Sequence, residues 1–295
     1  MILRRRNKDL KYAYYIGCTI PARMNNYDAS ARQVADALNI ELIDLKKAVC
    51  CGTVNIKALD IKTWLTLGAT NLALAEKENL DLVTLCNGCF STLKDSKHVL
   101  DSNPELKAEI NEVIKDLDLE YKGTIEVKHF IEVLYDDLGV DFIKSKIIKP
   151  LDLNVAIHYG CHVLRPSDVA QIDDPEDPHV LEELTEITGA RPIKWRYQKQ
   201  CCGGPILGIR EDLSIELARN KFIGASEVNA DCFITICPFC GVQLDLVQMK
   251  VEEKYNEKYN IPVLYYTQLL GLALDLDPEM LGFDLNRVAV DFIEY

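Results

Sequence analysis

Short apolar runs alternate along this chain with longer segments whose apolar residues recur every three or four positions. Residues 11–16, rich in tyrosine and aliphatic side chains, predict a strand, and 28–38 predict a helix that Asp28 or Ser30 can cap. Residues 41–45 predict a short strand, 56–79 a long helix, 82–85 a buried-type strand, and 124–127 a strand with a helix after it. The order then returns: strand 153–158, helix 178–188, strand 192–195, helix 213–225, strand 233–236, helix 242–259, strand 263–266. Strands that alternate with helices pair in parallel, because each crossover needs a connection of helix length. The expected fold class is α/β, with two pseudo-symmetric repeats, each a small, mostly parallel sheet flanked by helices. The helical pattern at 104–117 reads as an insertion peculiar to the first half, and Lys149-Pro150 marks a boundary between repeats 1–150 and 151–295.

The repetition extends to single residues. Tyr15-Ile-Gly-Cys18 matches Tyr159-Gly-Cys161, and Cys50-Cys51-Gly52 matches Cys201-Cys202-Gly203. Cys86-Asn-Gly-Cys89 matches Cys237-Pro-Phe-Cys240, and 127–134 resembles 263–270, which sets His129 against Tyr265. Both tandem pairs and both CxxC motifs stand 151 positions apart, 50 to 201 and 86 to 237. So regular an offset marks a duplication. In each half the lone cysteine, the pair and the CxxC motif follow predicted strands. The carboxyl ends of parallel strands share one sheet edge, the ligand side of open α/β folds, so five cysteines converge there. Gly52 and Gly203-Gly204 allow tight turns after the pairs.

Composition narrows the chemistry. At 295 residues the chain has room for two cores. A net charge of −13 excludes the basic footprint of non-specific nucleic-acid binding. The basic start Met1-Ile-Leu-Arg-Arg-Arg6 leads into no apolar signal region, and no apolar run approaches the roughly 20 residues that cross a bilayer, so a cytoplasmic protein without membrane insertion is expected. There, eleven cysteines with tandem pairs and CxxC motifs point to metal ligation rather than disulfides. Thiolates suit zinc, Cu(I) or iron–sulfur clusters. A structural zinc takes four ligands and so does an ordinary cubane. A fifth thiolate could bridge two irons, stand spare, or mark an unusual cluster. A zinc-stabilised assembly scaffold is the reading without redox chemistry. Cys232 breaks the repeat inside a predicted strand and reads as a buried core thiol.

The doubled arrangement of Cys, Cys-Cys and Cys-x-x-Cys is that of the cysteine-rich CCG family. With the opening Tyr12-Ala-Tyr-Tyr-Ile-Gly-Cys-Thr-Ile-Pro-Ala-Arg23, and on through Tyr265-Tyr-Thr-Gln-Leu-Leu-Gly-Leu-Ala-Leu274, the chain resembles the B subunits of methanogen coenzyme B–coenzyme M heterodisulfide reductases. That resemblance implies a catalytic subunit that reduces the mixed disulfide to two thiols. It implies two [4Fe-4S] clusters of non-cubane type and no flavin on this chain: one cluster on Cys18, Cys50, Cys51, Cys86 and Cys89, the other on Cys161, Cys201, Cys202, Cys237 and Cys240. It implies partners too: a ferredoxin-like C subunit that delivers electrons, a flavin-bearing, bifurcating A subunit, and a hydrogenase or formate dehydrogenase. Two clusters facing one cavity would give the disulfide its two electrons one at a time.

The substrate's sulfonate and phosphate need cations. Arg23 and Arg165 follow the lone cysteines, and Lys57 and Arg210 follow the pairs; solvated charges or structural ion pairs are the plain alternative. His158 and His162 flank Cys161, and His162 is the candidate to donate a proton or bond a cluster sulfur. Trp64 and Trp195 read as core, and the acidic run 173–177 as a solvated loop or a docking point for a partner. Relatives that share the motif supply the alternative: an iron–sulfur electron-transfer component of a hydroxy-acid or other flavin dehydrogenase, with no substrate site of its own.

Overall fold

The computed structural model describes residues 10–293; the basic start at 1–6 lies outside them. Among the described residues eight strands form two four-stranded, wholly parallel sheets. The first holds β1 (Leu10–Tyr14), β2 (Ile40–Asp44), β3 (Leu82–Thr84) and β4 (Val127–His129) in the order β2-β1-β3-β4. The second holds β5 (Asn154–His158), β6 (Arg191–Pro192), β7 (Cys232–Thr235) and β8 (Val263–Tyr265) in the order β6-β5-β7-β8. Both sheets have one topology, as the duplication predicts. The central strands β3 and β7 are buried throughout, as parallel strands covered on both faces must be.

Register supports the alignment of the halves. Thr84 pairs with His129 as Thr235 pairs with Tyr265. Each end residue then opens a helix: the His129 N–H donates to Glu132 at 2.7 Å and the Tyr265 N–H to Gln268 at 3.1 Å.

Several elements differ from the periodicity. The helix expected at 56–79 is two, Thr53–Leu59 and Ile61–Lys77, because extended Asp60 breaks the turn and accepts the Lys62 N–H at 3.0 Å. The first-half helix begins earlier, at Asn25–Ala37, so Asp28 and Ser30 lie inside it and neither caps it. Asn87–Ser102, which carries Cys89, is a helix that periodicity did not reveal. The stretch 242–259 is a run of wide turns, Val242–Leu246, followed by Gln248–Tyr255 and stopped by left-handed Asn256. The insertion is real: helix Pro104–Ile114 and a 3-10 turn at Lys115–Leu117 precede β4.

One hydrophobic core runs through both halves, and a smaller one around Trp195, Phe222 and Phe233 belongs to the second. The halves interlock. Helix Asn25–Ala37 packs on helix Tyr266–Ala273, with Ser30 Oγ 2.7 Å from Thr267 Oγ1. The Tyr27 ring stacks on Tyr265 at 3.8 Å, and its hydroxyl donates to the Ile236 carbonyl at 3.0 Å. Among the described residues no helix is long and apolar enough to cross a membrane.

Candidate metal centres at a shared edge

Every cysteine of the two sets lies in the connection that follows the carboxyl end of a strand. Cys18 opens the short helix Thr19–Arg23 after β1, and Cys50-Cys51 lie between β2 and helix Thr53–Leu59. Cys86 is the residue from which helix Asn87–Ser102 starts after β3, which puts Cys89 in its first turn. The second half repeats this. Cys161 turns the chain after β5, Cys201-Cys202 lie in the loop after β6, and Cys237 opens Pro238–Gly241, which contains Cys240. The glycines before the lone cysteines make the convergence possible. Gly17 and Gly160 are left-handed, at φ +72 and +78, and a Cβ on either would lie 3.1 Å from the sulfur of Cys89 or Cys240.

The sulfurs gather accordingly. Cys51 and Cys89 are 3.5 Å apart, and Cys202 and Cys240 3.7 Å. Backbone N–H groups of Gly52, Gly203 and Gly204 donate to Cys50, Cys201 and Cys202, each at 3.4 Å. Each set runs from surface to interior: Cys18, Cys50 and Cys201 are exposed, while Cys51, Cys86, Cys89, Cys202, Cys237 and Cys240 are buried. The thiols share protons. Cys51, Cys201 and Cys237 are drawn toward thiolate chiefly by donation from neighbouring cysteines, and Cys86, Cys89 and Cys240 are pushed up in return. A soft metal displaces such shared protons.

The two sets meet. Gly160, one residue before Cys161, lies against Asn87 of the first CxxC turn and against Cys237 and Cys240 of the second, and Cys86 and Cys237 influence each other's charge across the boundary between halves. Beside them Asn87 Nδ2 donates to the Tyr159 carbonyl at 2.6 Å. A Cβ on Gly88 would stand 3.8 Å from both Cys86 Sγ and His162 Nδ1, so half-buried His162, from the second half, lies against the first half's CxxC turn. His158 is 1% exposed, with Nδ1 3.2 Å from the Gln198 carbonyl, and its pKa falls to about 3 because burial and the Lys221 cation disfavour its charge. His129, equally buried, falls to about 4 through burial.

Of the four candidate cations, three are engaged. Lys57 pairs with Asp95 and lies 4.6 Å over the Trp64 ring. Arg165 reaches Glu176 at 2.9 Å, and Arg210 reaches Asp212 at 3.0 Å. Arg23 has no ion-pair partner among the described residues, and it ends the helix that Cys18 begins. The acidic run is built rather than loose: Asp173 accepts the N–H groups of His179 and Val180 at 2.8 and 2.7 Å. Trp64 and Trp195 are buried, as is Cys232, whose thiol burial pushes up.

Sequence reasoning overlooked Asn87, although it stands inside a CxxC motif. It also overlooked Lys221 and Asn71. Buried Lys221 donates to the Tyr197 and Gln200 carbonyls just before Cys201, and buried Asn71 holds Val49 just before Cys50. Both lie on long helices whose face toward the cysteines only the fold reveals.

The sequence profile of the cysteine-rich domain family, CCG, matches twice, over residues 12–94 and 155–245. The chain belongs to that family. It is 39% identical over 281 residues, 94% of each chain, to the B subunit of the ferredoxin/F(420)H(2)-dependent CoB-CoM heterodisulfide reductase of Methanosarcina acetivorans. It is 38% identical, with the same coverage, to the B subunit of the ferredoxin:CoB-CoM heterodisulfide reductase of Methanosarcina mazei. Over 94% of this chain and 97% of the relative it is 32% identical to the 8-methylmenaquinol:fumarate reductase membrane anchor subunit of Wolinella succinogenes. A crystal structure of a hypothetical protein from Helicobacter pylori superposes with a TM-score of 0.80 at 21% identity, covering 97% of this chain and 53% of that one; it shares the fold. These relatives define an iron–sulfur subunit of the reductase kind. The donor sets fit that cofactor: each is made of soft thiols, N–H groups point at sulfur, and among the described residues no disulfide consumes a thiol.

Proposed function

We propose that the chain is the catalytic subunit of a heterodisulfide reductase, reducing the coenzyme M–coenzyme B mixed disulfide to two thiols at two non-cubane [4Fe-4S] clusters. Cys18, Cys50, Cys51, Cys86 and Cys89 hold one cluster, and Cys161, Cys201, Cys202, Cys237 and Cys240 the other. The observation that carries the reading is the junction of the two thiol sets, where Asn87 of the first CxxC turn bonds the Tyr159 carbonyl and Gly160 lies against Cys237 and Cys240. A reaction that breaks one S–S bond with two electrons and two protons is well served by two one-electron centres at one place. When bound, the clusters supply single electrons and soft iron sites for sulfur.

The chain's own residues do the rest. His162, against the Cys86–Cys89 turn, holds a proton for a departing thiolate. Arg23, uncommitted among the described residues, receives an anionic end of the substrate. Arg165 can join it by leaving Glu176, an exposed pair that costs little to open. Lys57 stays with Asp95 against the Trp64 ring, while the exposed Arg210–Asp212 pair opens as readily as that of Arg165. Electrons arrive from a ferredoxin-like C subunit; a flavin-bearing, bifurcating A subunit and a hydrogenase or formate dehydrogenase stand upstream.

The likeness to a fumarate reductase component favours one second reading, an electron-transfer protein without a substrate site. Anaerobic purification decides between them. Iron and acid-labile sulfide of about eight each per chain are expected, with viologen-driven reduction of the mixed disulfide. Full cluster content without that activity, in the presence of all partner proteins of the complex, would leave only the second reading.

A further inference from the structure

We propose that electrons enter through the first repeat, where helix Thr53–Leu59 and the turn before Cys50 form the docking face for an acidic iron–sulfur carrier. That the carrier is the ferredoxin-like C subunit rests on the reading above. The helix follows directly on Cys50-Cys51, and none of its seven residues is buried. So short a helix is marginal in water, and packing of its apolar side chains normally holds it. Here Val54 is exposed, Leu59 is 82% exposed, and Ile61, just past the break at Asp60, is exposed as well. Exposed aliphatics scattered singly are ordinary. Three between positions 54 and 61, beside the exposed thiol of Cys50, mark a contact surface.

Charge indicates what covers it. From 45 to 75 the chain carries four lysines and one acid, Asp60, although its net charge is −13. Lys57 and Lys62 have acidic partners on other helices, Asp95 and Glu109. Lys46 and Lys47, exposed in the turn that leads to Cys50, pair with nothing among the described residues. An apolar centre with free cations at its rim suits a partner whose surface is acidic, and those charges steer its approach. An electron crosses only a short gap between proteins. A carrier for the first centre must therefore sit where that centre's thiols reach the surface, at Cys18 and Cys50.

The second half has a matching apolar tip, Ile209, but not the charge. Glu211 and Asp212 follow it, and Asp212 holds Arg210 at 3.0 Å. The acidic run 173–177 has no counterpart between Cys18 and Cys50. It sets Asp177 against Lys194 at 3.6 Å, and Glu176 against both Arg165 and Lys199. Acids and cations are interleaved there, so an acidic carrier gains little. One electron thus leaves the carrier's iron–sulfur centre, which is oxidised, and reduces the first centre. It passes to the second across the junction at Asn87 and Tyr159. No bond and no proton moves in this step.

Zero-length coupling of carboxylates to amines, on the anaerobic holoprotein mixed with purified C subunit, tests the face without any variant. Links at Lys46 or Lys47 are expected, and links confined to Lys194 or Lys199 overturn the proposal. Cluster reduction, followed by loss of visible absorbance, is the second measurement. Leu59→Glu should slow reduction by the reduced C subunit about tenfold, as loss of an apolar anchor does at other interfaces. Reduction by a viologen dye and iron content should stay as they were, and Ile209→Glu should change neither rate. An unchanged rate in Leu59→Glu overturns the docking face. So does a dimer of the free chain that Leu59→Glu dissolves, which would assign the face to a second copy. Both readouts follow the clusters and not the disulfide. A holoprotein that takes electrons at this face yet leaves the mixed disulfide intact refutes the proposed function and keeps the docking face.

Discussion

The side-chain amide of Asn87 donates to the Tyr159 carbonyl at 2.6 Å, joining the helix that carries Cys86 and Cys89 to the turn that carries Cys161. One bond thus sets the spacing of two cysteine sets far apart in sequence. Asn87→Ala leaves a buried carbonyl unpaired, a cost of about 1–3 kcal/mol. Urea denaturation should show that loss, and the optical spectra of both centres should change together. A variant in which only the first centre changes would mean that the bond does not couple them.

Gly160 is the tightest point of the same junction. A Cβ there would meet Asn87 Nδ2 at 2.7 Å and the Cys240 sulfur at 3.1 Å, in a left-handed backbone. Gly160→Ala is expected to cost about 2 kcal/mol or more, since the backbone alone accounts for about 1–2 kcal/mol, and to lower iron bound by the second set. Gly208→Ala, with nothing within 4 Å of its Cβ, is the matched control and should leave thermal stability and metal content as they were.

Lys221 and Asn71 do the same structural job with different charge. Each holds backbone carbonyls just before a Cys-Cys pair, but only Lys221 brings a cation among Cys161, Cys201, Cys202 and Cys240. Lys221→Met should lower the midpoint potential of the second centre by on the order of tens of millivolts, because a buried charge acts through a weakly screening medium. Redox titration followed by paramagnetic resonance measures it. The first centre's midpoint should stay put, and a shift there instead would show that the charge is shared.

Acid should loosen one edge of the second half through Glu257. Arg219 and Tyr259 hold the Glu257 carboxyl down at about 2, against an ordinary 4.5. A depressed carboxyl stabilises the fold fully above its unfolded value, so this contribution is complete above about pH 4.5 and disappears as pH falls toward 2. Comparing urea midpoints at pH 3 and pH 6 should show a smaller drop in Arg219→Gln than in the native chain. Equal drops would assign the acid sensitivity to other groups.

Much of this was legible in the residues themselves. Duplication, sheet class and the gathering of ten cysteines beyond strand ends followed from a fixed offset and from strand-then-cysteine order. Local capping was harder: Asp60 splits a helix whose apolar spacing runs straight through it, and polar Asn87–Ser102 hides its helix. The cations are harder to read for a different reason. Lys57 and Arg210 sit at suggestive distances from the pairs, but Asp95 and Asp212 claim them, and a partner that the fold supplies leaves no trace in spacing. Asn71 and Lys221 lie far from any motif, and only the packing of long helices turns them toward sulfur.

The stacking of Tyr27 on Tyr265 has a consequence for how the chain is made. The apolar face of helix Asn25–Ala37 waits for a cover that leaves the ribosome only with residues 266–273. At about 5–20 residues per second, that face stays bare for roughly 10–50 seconds. The seam between the repeats therefore closes only once the second is nearly made, and until then the first repeat exposes the patch around Tyr27 and Ser30 that the finished chain buries.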